Sequence, residues 1–138
     1  MAYRTDNIPL ILRPFYLTIS YVAAAFLYVF FVLPLRFTLR IEFQGQENLQ
    51  KGPFIACIWH EDLGPFFATF KRLNSTQIWM NHPVWYMKPI HFLLGFIGIK
   101  ELVLGSSGHK GKEAAFKLAA LLKEKKVSTT FAIDGPLG

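Results

Sequence analysis

The sequence predicts an α/β fold with a mostly parallel sheet, preceded by an N-terminal hydrophobic helix. Strand-like and helix-like segments alternate after residue 37, an order typical of layers in which helices connect parallel strands. Before them, residues 14–35 carry no charge. The chain has 138 residues, enough for one hydrophobic core. We therefore expect an N-terminal anchor helix region over residues 1–36 and one α/β domain over residues 37–138.

The composition narrows the possible partners. The chain is 52% hydrophobic, and its 15 Lys and Arg against 9 Asp and Glu give a formal charge of +6. A basic, apolar chain favours contact with anionic lipid surfaces or phosphate-bearing ligands. It shows no zinc-ligand spacing, helix-turn-helix pattern or RNA-binding aromatic motif, so we expect neither nucleic acid nor a metal. Three of the four histidines are dispersed along the chain, and we interpret them as surface or loop residues: His82, His91 and His109.

The single cysteine, Cys57, excludes an internal disulfide and fits a reducing compartment. It stands inside an apolar run that resembles a strand. We therefore expect it to be a small, buried hydrophobic residue.

The uncharged segment over residues 14–35 predicts a membrane-embedded or membrane-spanning helix. Its length matches the ~20 residues that cross a hydrocarbon core, and Pro14 suits a first helical turn. A buried helix of a soluble fold is the alternative. A signal peptide is disfavoured because no small-x-small cleavage site follows. Positive charge flanks the segment on both sides, at Arg13 and at Arg36 and Arg40, so the loop charges leave both orientations open. The basic remainder favours a main domain on the cytoplasmic side of an inner membrane.

Local patterns define the elements of the domain. Apolar and polar residues alternate over residues 37–43, which predicts a strand. The apolar run over residues 54–59 predicts a central buried strand. In order, the remaining predictions are a short helix over 66–71, a weak strand over 78–80, a helix over 84–99, a strand over 101–104, a helix over 112–126 and a buried strand over 127–133.

The central strand ends in His60, followed by Glu61 and Asp62. Histidine is the side chain whose ordinary pKa lies nearest neutrality, and two acids that could orient it stand beside it. A buried strand would fix the imidazole while the following loop opens it to a substrate. We therefore identify these three residues as candidate catalytic groups. A histidine that simply caps a loop is the alternative.

A Gly-Ser loop precedes the helix predicted over residues 112–126. Its glycines allow backbone amides to turn towards an anion, and the helix N-terminus favours negative charge. The candidate binding residues in and beside this loop are Gly105, Ser106, Ser107, Lys110 and Lys112. The sequence is not a nucleotide-binding P-loop, because Ser106 and Glu113 stand where that pattern requires other residues. An ordinary turn remains the alternative.

A third motif, Asp134-Gly135-Pro136, follows the last predicted strand. The carboxyl ends of parallel strands meet at one edge of a sheet, where ligands of open α/β sheets bind. We therefore expect this motif to lie on the same rim as His60. Alone, it is also a common turn sequence.

Together these motifs, Trp59-His60, Gly105-Ser106-Ser107 and Asp134-Gly135-Pro136, resemble the lysophospholipid acyltransferase superfamily. The likeness covers residues 37–138 and is closest to a bacterial branch of acyltransferase-like domains of unknown function. The resemblance implies an αβα layered domain on a membrane face. It also implies transfer of a fatty acyl group from acyl-CoA or acyl carrier protein to a lysophospholipid or related lipid hydroxyl, with no bound cofactor.

The resemblance also implies roles for the site residues. His60 would act as general base, and a carboxylate would hold its other ring nitrogen. The Gly-Ser loop and the motif at Asp134 would position the acceptor, with any acceptor phosphate near Lys110 or Lys112.

The sequence departs from the wider family at two places. Pro65 stands where that family has an acid five residues after the histidine, so Glu61 or Asp62 would have to substitute. The chain also stops inside the third motif, which predicts an incomplete domain with the strand over residues 127–133 at an open edge. The alternatives are a non-catalytic, membrane-anchored lipid-binding module or inactive fragment, and a small membrane protein whose motifs are only turns.

Overall fold

The structure, a computed structural model, describes residues 8–49, 51–73, 75–106 and 110–134. It is a mixed α/β arrangement of helices and short parallel strands with an apolar helix at the N-terminus, as the sequence predicts. The helices are α1 (Arg13–Leu27), α2 (Leu33–Thr38), α3 (Gln46–Leu49), α4 (Leu63–Thr69), α5 (Lys88–Ile97) and α6 (Gly111–Lys125). The strands are β1 (Ile55–Ile58), β2 (Ile78–Asn81), β3 (Glu101–Leu104) and β4 (Thr129–Ala132).

A continuous N-terminal helix, Arg13–Thr38, joins α1 to α2 through a π-helical turn at Tyr28–Val32. Pro34 explains this turn: it lacks an N–H, and its ring would clash with the carbonyl one turn earlier. The helix is long and apolar enough to cross a membrane, with a mean hydropathy of 2.0 over its most apolar window, of which 17% is buried. It runs past the expected boundary at residue 36.

The predicted strand over residues 37–43 is wrong. The helix continues to Thr38, whose hydroxyl donates to the carbonyl oxygen of Pro34 at 2.8 Å, and residues 39–43 form no strand. Alternation alone does not create a strand, because the backbone groups must also find a partner. Within the described ranges, β1 pairs with β4 and not with this segment.

The sheet is built from two parallel ladders, β1 with β4 and β2 with β3. A parallel bridge between Gln77 and Ser128 joins them: the Ile78 N–H donates to the Ser128 carbonyl oxygen at 3.1 Å, and the Ser128 N–H to that of Thr76 at 3.0 Å. The strand order is therefore β1-β4-β2-β3. The expectation that the last strand lies at an open edge is wrong, because β4 lies between β1 and β2.

Helices cover the β2–β3 half of the sheet on both faces. Trp79 belongs to a core cluster with Ala24 of the N-terminal helix, Phe70 of the 3₁₀ turn that follows α4, and Leu94 of α5. On the opposite face, Ile78 and Val103 pack against α6. The helix predicted over residues 84–99 is confirmed as a 3₁₀ turn, Trp85–Met87, followed by α5.

One face of β1 is open instead. Ile55 is 62% exposed, and Cys57, predicted to be buried, is exposed. Both side chains lie on the same face because residues two apart in a strand point the same way. The cysteine prediction is wrong because exposed and half-buried residues alternate along β1, and Cys57 lies on the exposed face.

Candidate functional site

The parallel sheet gathers the candidate residues at the carboxyl edge of its strands. His60 follows β1 in a 3₁₀ turn, His60–Asp62, and Asp134 follows β4. The register sets them side by side: Ile58 is opposite Ala132, and the Ile133 N–H donates to the Ile58 carbonyl oxygen at 3.0 Å. Two residues further along each strand, His60 and Asp134 are neighbours.

His60 and Asp134 make two hydrogen bonds to each other. The ring Nδ1 of His60 lies 2.8 Å from Oδ1 of Asp134, and the backbone N–H of His60 donates to Oδ2 at 3.0 Å. Both carboxylate oxygens are therefore used, which fixes the carboxylate plane. A carboxylate that accepts from Nδ1–H selects the tautomer in which Nε2 carries a lone pair. This is the arrangement of a histidine that can accept a proton.

The charge of Asp134 is stabilised by the same contacts. The backbone N–H of His60 holds the pKa of the Asp134 carboxyl below its usual value, the ring hydrogen bond lowers it further, and desolvation acts in the opposite direction. The Asp134 side chain is 10% exposed and that of His60 is 39% exposed. An ionised carboxylate is thus held behind an imidazole that a ligand can reach, and it would stabilise the imidazolium form.

Glu61 and Asp62 do not hold the ring. Both are exposed, and no hydrogen bond within the described ranges joins either side chain to His60. The Asp62 N–H instead donates to the Trp59 carbonyl oxygen at 3.1 Å, which closes the 3₁₀ turn. Asp134, expected to position an acceptor, is the acid that contacts His60. Neighbours in a tight turn point away from each other, whereas a residue on the adjacent strand faces the ring.

The Gly-Ser loop begins at the same edge, after β3. The Gly105 N–H donates to the Asn81 carbonyl oxygen at 3.0 Å, and Ser106 forms a parallel bridge with Lys110. A Cβ at Gly105 would lie 2.3 Å from the Cβ of Ala114, so glycine lets α6 approach the strand end. Lys110 and Lys112 are exposed. Of the predicted site residues, Ser107, Gly135 and Pro136 lie outside the described residues.

The loop and the His60–Asp134 pair lie at opposite ends of the strand order, on the same carboxyl edge of the sheet. Strands β4 and β2 separate β1 from β3. At ~4.8 Å per strand, His60 lies three spacings or roughly 14 Å from the loop, and Asp134 lies two spacings or about 10 Å from it. The structure thus brings His60 and Asp134 together and leaves Gly105 and Ser106 further along the same rim. A ligand that contacted both would have to be extended.

The sequence did not indicate the residues that follow β2, the strand beside β4. Asn81 ends β2, and its Oδ1 accepts from the His82 N–H at 2.7 Å. In sequence this Asn-His pair after an apolar run resembles Trp59-His60. In the structure, however, the Asn81 side chain bonds the backbone of His82, and no hydrogen bond within the described ranges joins the His82 ring to an acid.

His91 differs from its predicted surface position. It is 8% exposed within α5, and its Nε2 lies 3.2 Å from the His82 carbonyl oxygen. Burial lowers the pKa of His91 to about 4, and Lys88 contributes in the same direction. It is therefore neutral near pH 7, with Nε2–H as the donor to His82. His109 lies outside the described residues.

The described part of the chain contains no group of three or more His, Cys, Asp or Glu side chains that could hold a metal ion.

The fold and the site define a class: a mixed α/β protein with a hydrogen-bonded His–Asp pair at the carboxyl edge of its parallel strands. Comparison of the chain with protein-family models, with curated proteins and with solved structures gives no match. The resemblance to the lysophospholipid acyltransferases is thus a hypothesis based on the three sequence motifs.

Proposed function

We propose that this protein is a membrane-associated acyltransferase that moves a fatty acyl group from an acyl thioester to the hydroxyl of a lysophospholipid or related lipid. The observation that supports this most directly is the pair formed by His60 and Asp134, at 2.8 Å. A general base needs a defined tautomer and an orienting acid, and this pair supplies both.

In the proposed reaction, Nε2 of His60 takes the proton of the acceptor hydroxyl while Asp134 stays ionised against Nδ1. The hydroxyl oxygen forms a bond to the thioester carbonyl carbon. The carbon–sulfur bond then breaks, and the thiolate leaves with the proton returned by His60. The donor is acyl-CoA or acyl carrier protein. In this scheme, Asp134 offsets the positive charge that develops on the imidazole.

The N-terminal helix supports the membrane part of the proposal. It is apolar over Arg13–Thr38 and mostly exposed. The cationic Arg36 and Arg40 near its end would favour anionic headgroups. The proposed location is the cytoplasmic face of a membrane, where the lipid acceptor is already concentrated. The Gly-Ser loop, roughly 14 Å from His60, would then hold a part of a substrate distant from the reacting hydroxyl.

A non-catalytic lipid-binding module is the second candidate. Pro65 in α4 occupies the position where the wider family carries its acid. If that acid is indispensable, the domain would bind lipid without turning it over.

The deciding experiment incubates the protein in lipid vesicles with labelled acyl-CoA and a panel of lysophospholipids. We expect His60→Ala and Asp134→Asn each to lower product formation by about 10²–10⁴-fold, while sedimentation with vesicles is unchanged. His82→Ala is the matched control, because it removes an exposed histidine from the same rim and should keep most of the activity.

Unchanged turnover in His60→Ala would contradict the proposed base. If neither the wild type nor any variant forms product but all sediment with vesicles, the lipid-binding module is the correct interpretation.

A further inference from the structure

The first half of the N-terminal helix is attached to the domain by a hydrogen bond and by aromatic contacts. The Tyr16 hydroxyl donates to the Trp85 carbonyl oxygen at 2.5 Å. Further along, the Tyr21 ring meets Phe92 and Phe96 of α5 edge-on, with ring centroids 5.6 and 5.3 Å apart. These contacts fix α1 along the side of α5.

The helix is attached beyond Tyr21 as well. Ala24 and Val32 belong to the hydrophobic core, and the Leu35 side chain lies so close to Gly64 of α4 that a Cβ there would be 3.6 Å from it. From Tyr16 to Leu35 the attached length is about 29 Å at 1.5 Å per residue. That is close to the ~30 Å thickness of a bilayer's hydrocarbon core.

This docking is incompatible with a helix that crosses the membrane. If the docked helix crossed, α4, α5 and the sheet behind them would also lie in hydrocarbon. Lys71 and Arg72 follow α4 and Lys88 begins α5, and charged side chains are costly at that depth. The outer edges of β1 and β3 have no partner strand in the described ranges, and open sheet edges do not occur in lipid.

The opposite side of the helix, which we call the outer face, is apolar and exposed. Its residues recur every three or four positions: Phe15, Ile19, Val22, Phe26 and Phe30. An apolar groove of about 690 Å³ runs between this helix and Tyr86, Pro89 and Ile90. An apolar helical face of this width requires a partner.

The charges beside the outer face identify the partner. Arg13 begins the helix, and Arg36 and Arg40 lie at its other end, on a chain of net charge +6. Arginines at both ends of an apolar face suit anionic headgroups on one surface. A protein partner would not require cations at both ends.

We propose that the N-terminal helix lies in the plane of one leaflet, with its outer face in the hydrocarbon boundary of an anionic membrane and the α/β domain docked beside it on a single side. This inference rests on the membrane association in the proposed function, but it does not depend on acyl transfer.

The test uses the full chain in a Cys57→Ser background, with one cysteine introduced at Pro9, Glu42 or Phe26. The protein is added to preformed vesicles of phosphatidylglycerol and phosphatidylcholine, and a membrane-impermeant maleimide labels the thiols before and after detergent. We expect Pro9→Cys and Glu42→Cys, which flank the helix, to react from outside at roughly their detergent rates. Phe26→Cys should react about tenfold more slowly until detergent is added.

Labelling of either flanking cysteine only after detergent would show a spanning helix and overturn the proposal. Equal labelling of Phe26→Cys before and after detergent would show that the outer face is not in lipid, and would also overturn the proposal.

A charge substitution supplies an independent readout. Phe26→Lys should weaken sedimentation with the anionic vesicles by about tenfold. Phe116→Lys, on α6 and similarly exposed at 66% against 54% for Phe26, should bind as the wild type does. Equal binding of the two variants would overturn the proposal that the outer face binds the membrane.

Acyl transfer by the same preparations keeps the two proposals separable. If the labelling is as expected but no acyl transfer is detected, only the proposed acyltransferase activity is contradicted. Absent vesicle binding by the wild type would remove both the membrane association and the in-plane helix.

Discussion

The two halves of the sheet differ in how they are held. In the β2–β3 half, Ile78 and Trp79 are buried on opposite faces under helices. In the β1–β4 half, Ile55 and Cys57 leave one face of β1 open, and the position of His60 depends on strand register and on the carboxylate of Asp134. The fold's stability thus resides mainly in the first half, and the candidate chemistry lies in the second.

The largest expected effect is a difference in stability between a substitution beneath the β2–β3 half and one on β1. Leu94→Ala would leave a cavity at a side chain that is 0% exposed, and should lower the free energy of unfolding by about 2–5 kcal/mol. Ile55→Ala removes a comparable side chain that is 62% exposed, and should cost less than about 1 kcal/mol. Urea unfolding of the two variants measures the difference. Equal losses would show that β1 is covered in solution.

The next effect concerns the approach of α6 to β3. Gly105→Ala would place a Cβ 2.3 Å from that of Ala114, and overpacking of this kind costs about 1–3 kcal/mol. Gly95→Ala is the matched control: it lies within α5 with nothing inside 4 Å of the added Cβ. It should stabilise the protein by about 0.5–1 kcal/mol. Thermal unfolding midpoints that move in the same direction would contradict the close packing at Gly105.

Local patterns were sufficient for most elements of the sheet. The apolar runs before His60 and after Lys126 are strands, and residues 101–104 form β3 as predicted. Strand order was not predictable in the same way. β4 reaches its place between β1 and β2 through pairings with residues far away in the chain, which no local pattern encodes. The strand predicted over residues 37–43 was wrong for the same reason, since pairing decides whether an alternating segment is a strand.

In the candidate site, too, local patterns predicted some features and long-range pairing decided the others. The sequence placed His60 and Asp134 on one rim, because both follow apolar strands. It assigned the orienting acid to Glu61 or Asp62, since only they are near in sequence. Asp134 lies 74 residues from His60, so only the register of β1 with β4 makes it the partner.

The smallest expected effect is on the pH dependence of stability. It tests whether ionised Asp134, brought to His60 by the pairing of β1 with β4, stabilises the folded state. Because the folded-state pKa of Asp134 lies below its usual value of 3.8, ionised Asp134 stabilises the folded state above that pH. The contribution is lost as pH falls through the folded pKa, since the unfolded chain then binds more protons. Asp134→Asn should therefore lose less stability than the wild type between about pH 5 and pH 2. The difference should be small, because the His60 side chain is 39% exposed and solvent screens the pair.

Urea midpoints at successive pH values measure this slope, with Asp62→Asn as the control. Asp62 makes no hydrogen bond to His60 within the described residues, so that variant should follow the wild type. If Asp62→Asn instead flattened the slope and Asp134→Asn did not, the acid paired with His60 in solution would be its neighbour in the turn. The contrast between the two halves would then fail at the candidate site, because the site would no longer depend on the pairing of β1 with β4.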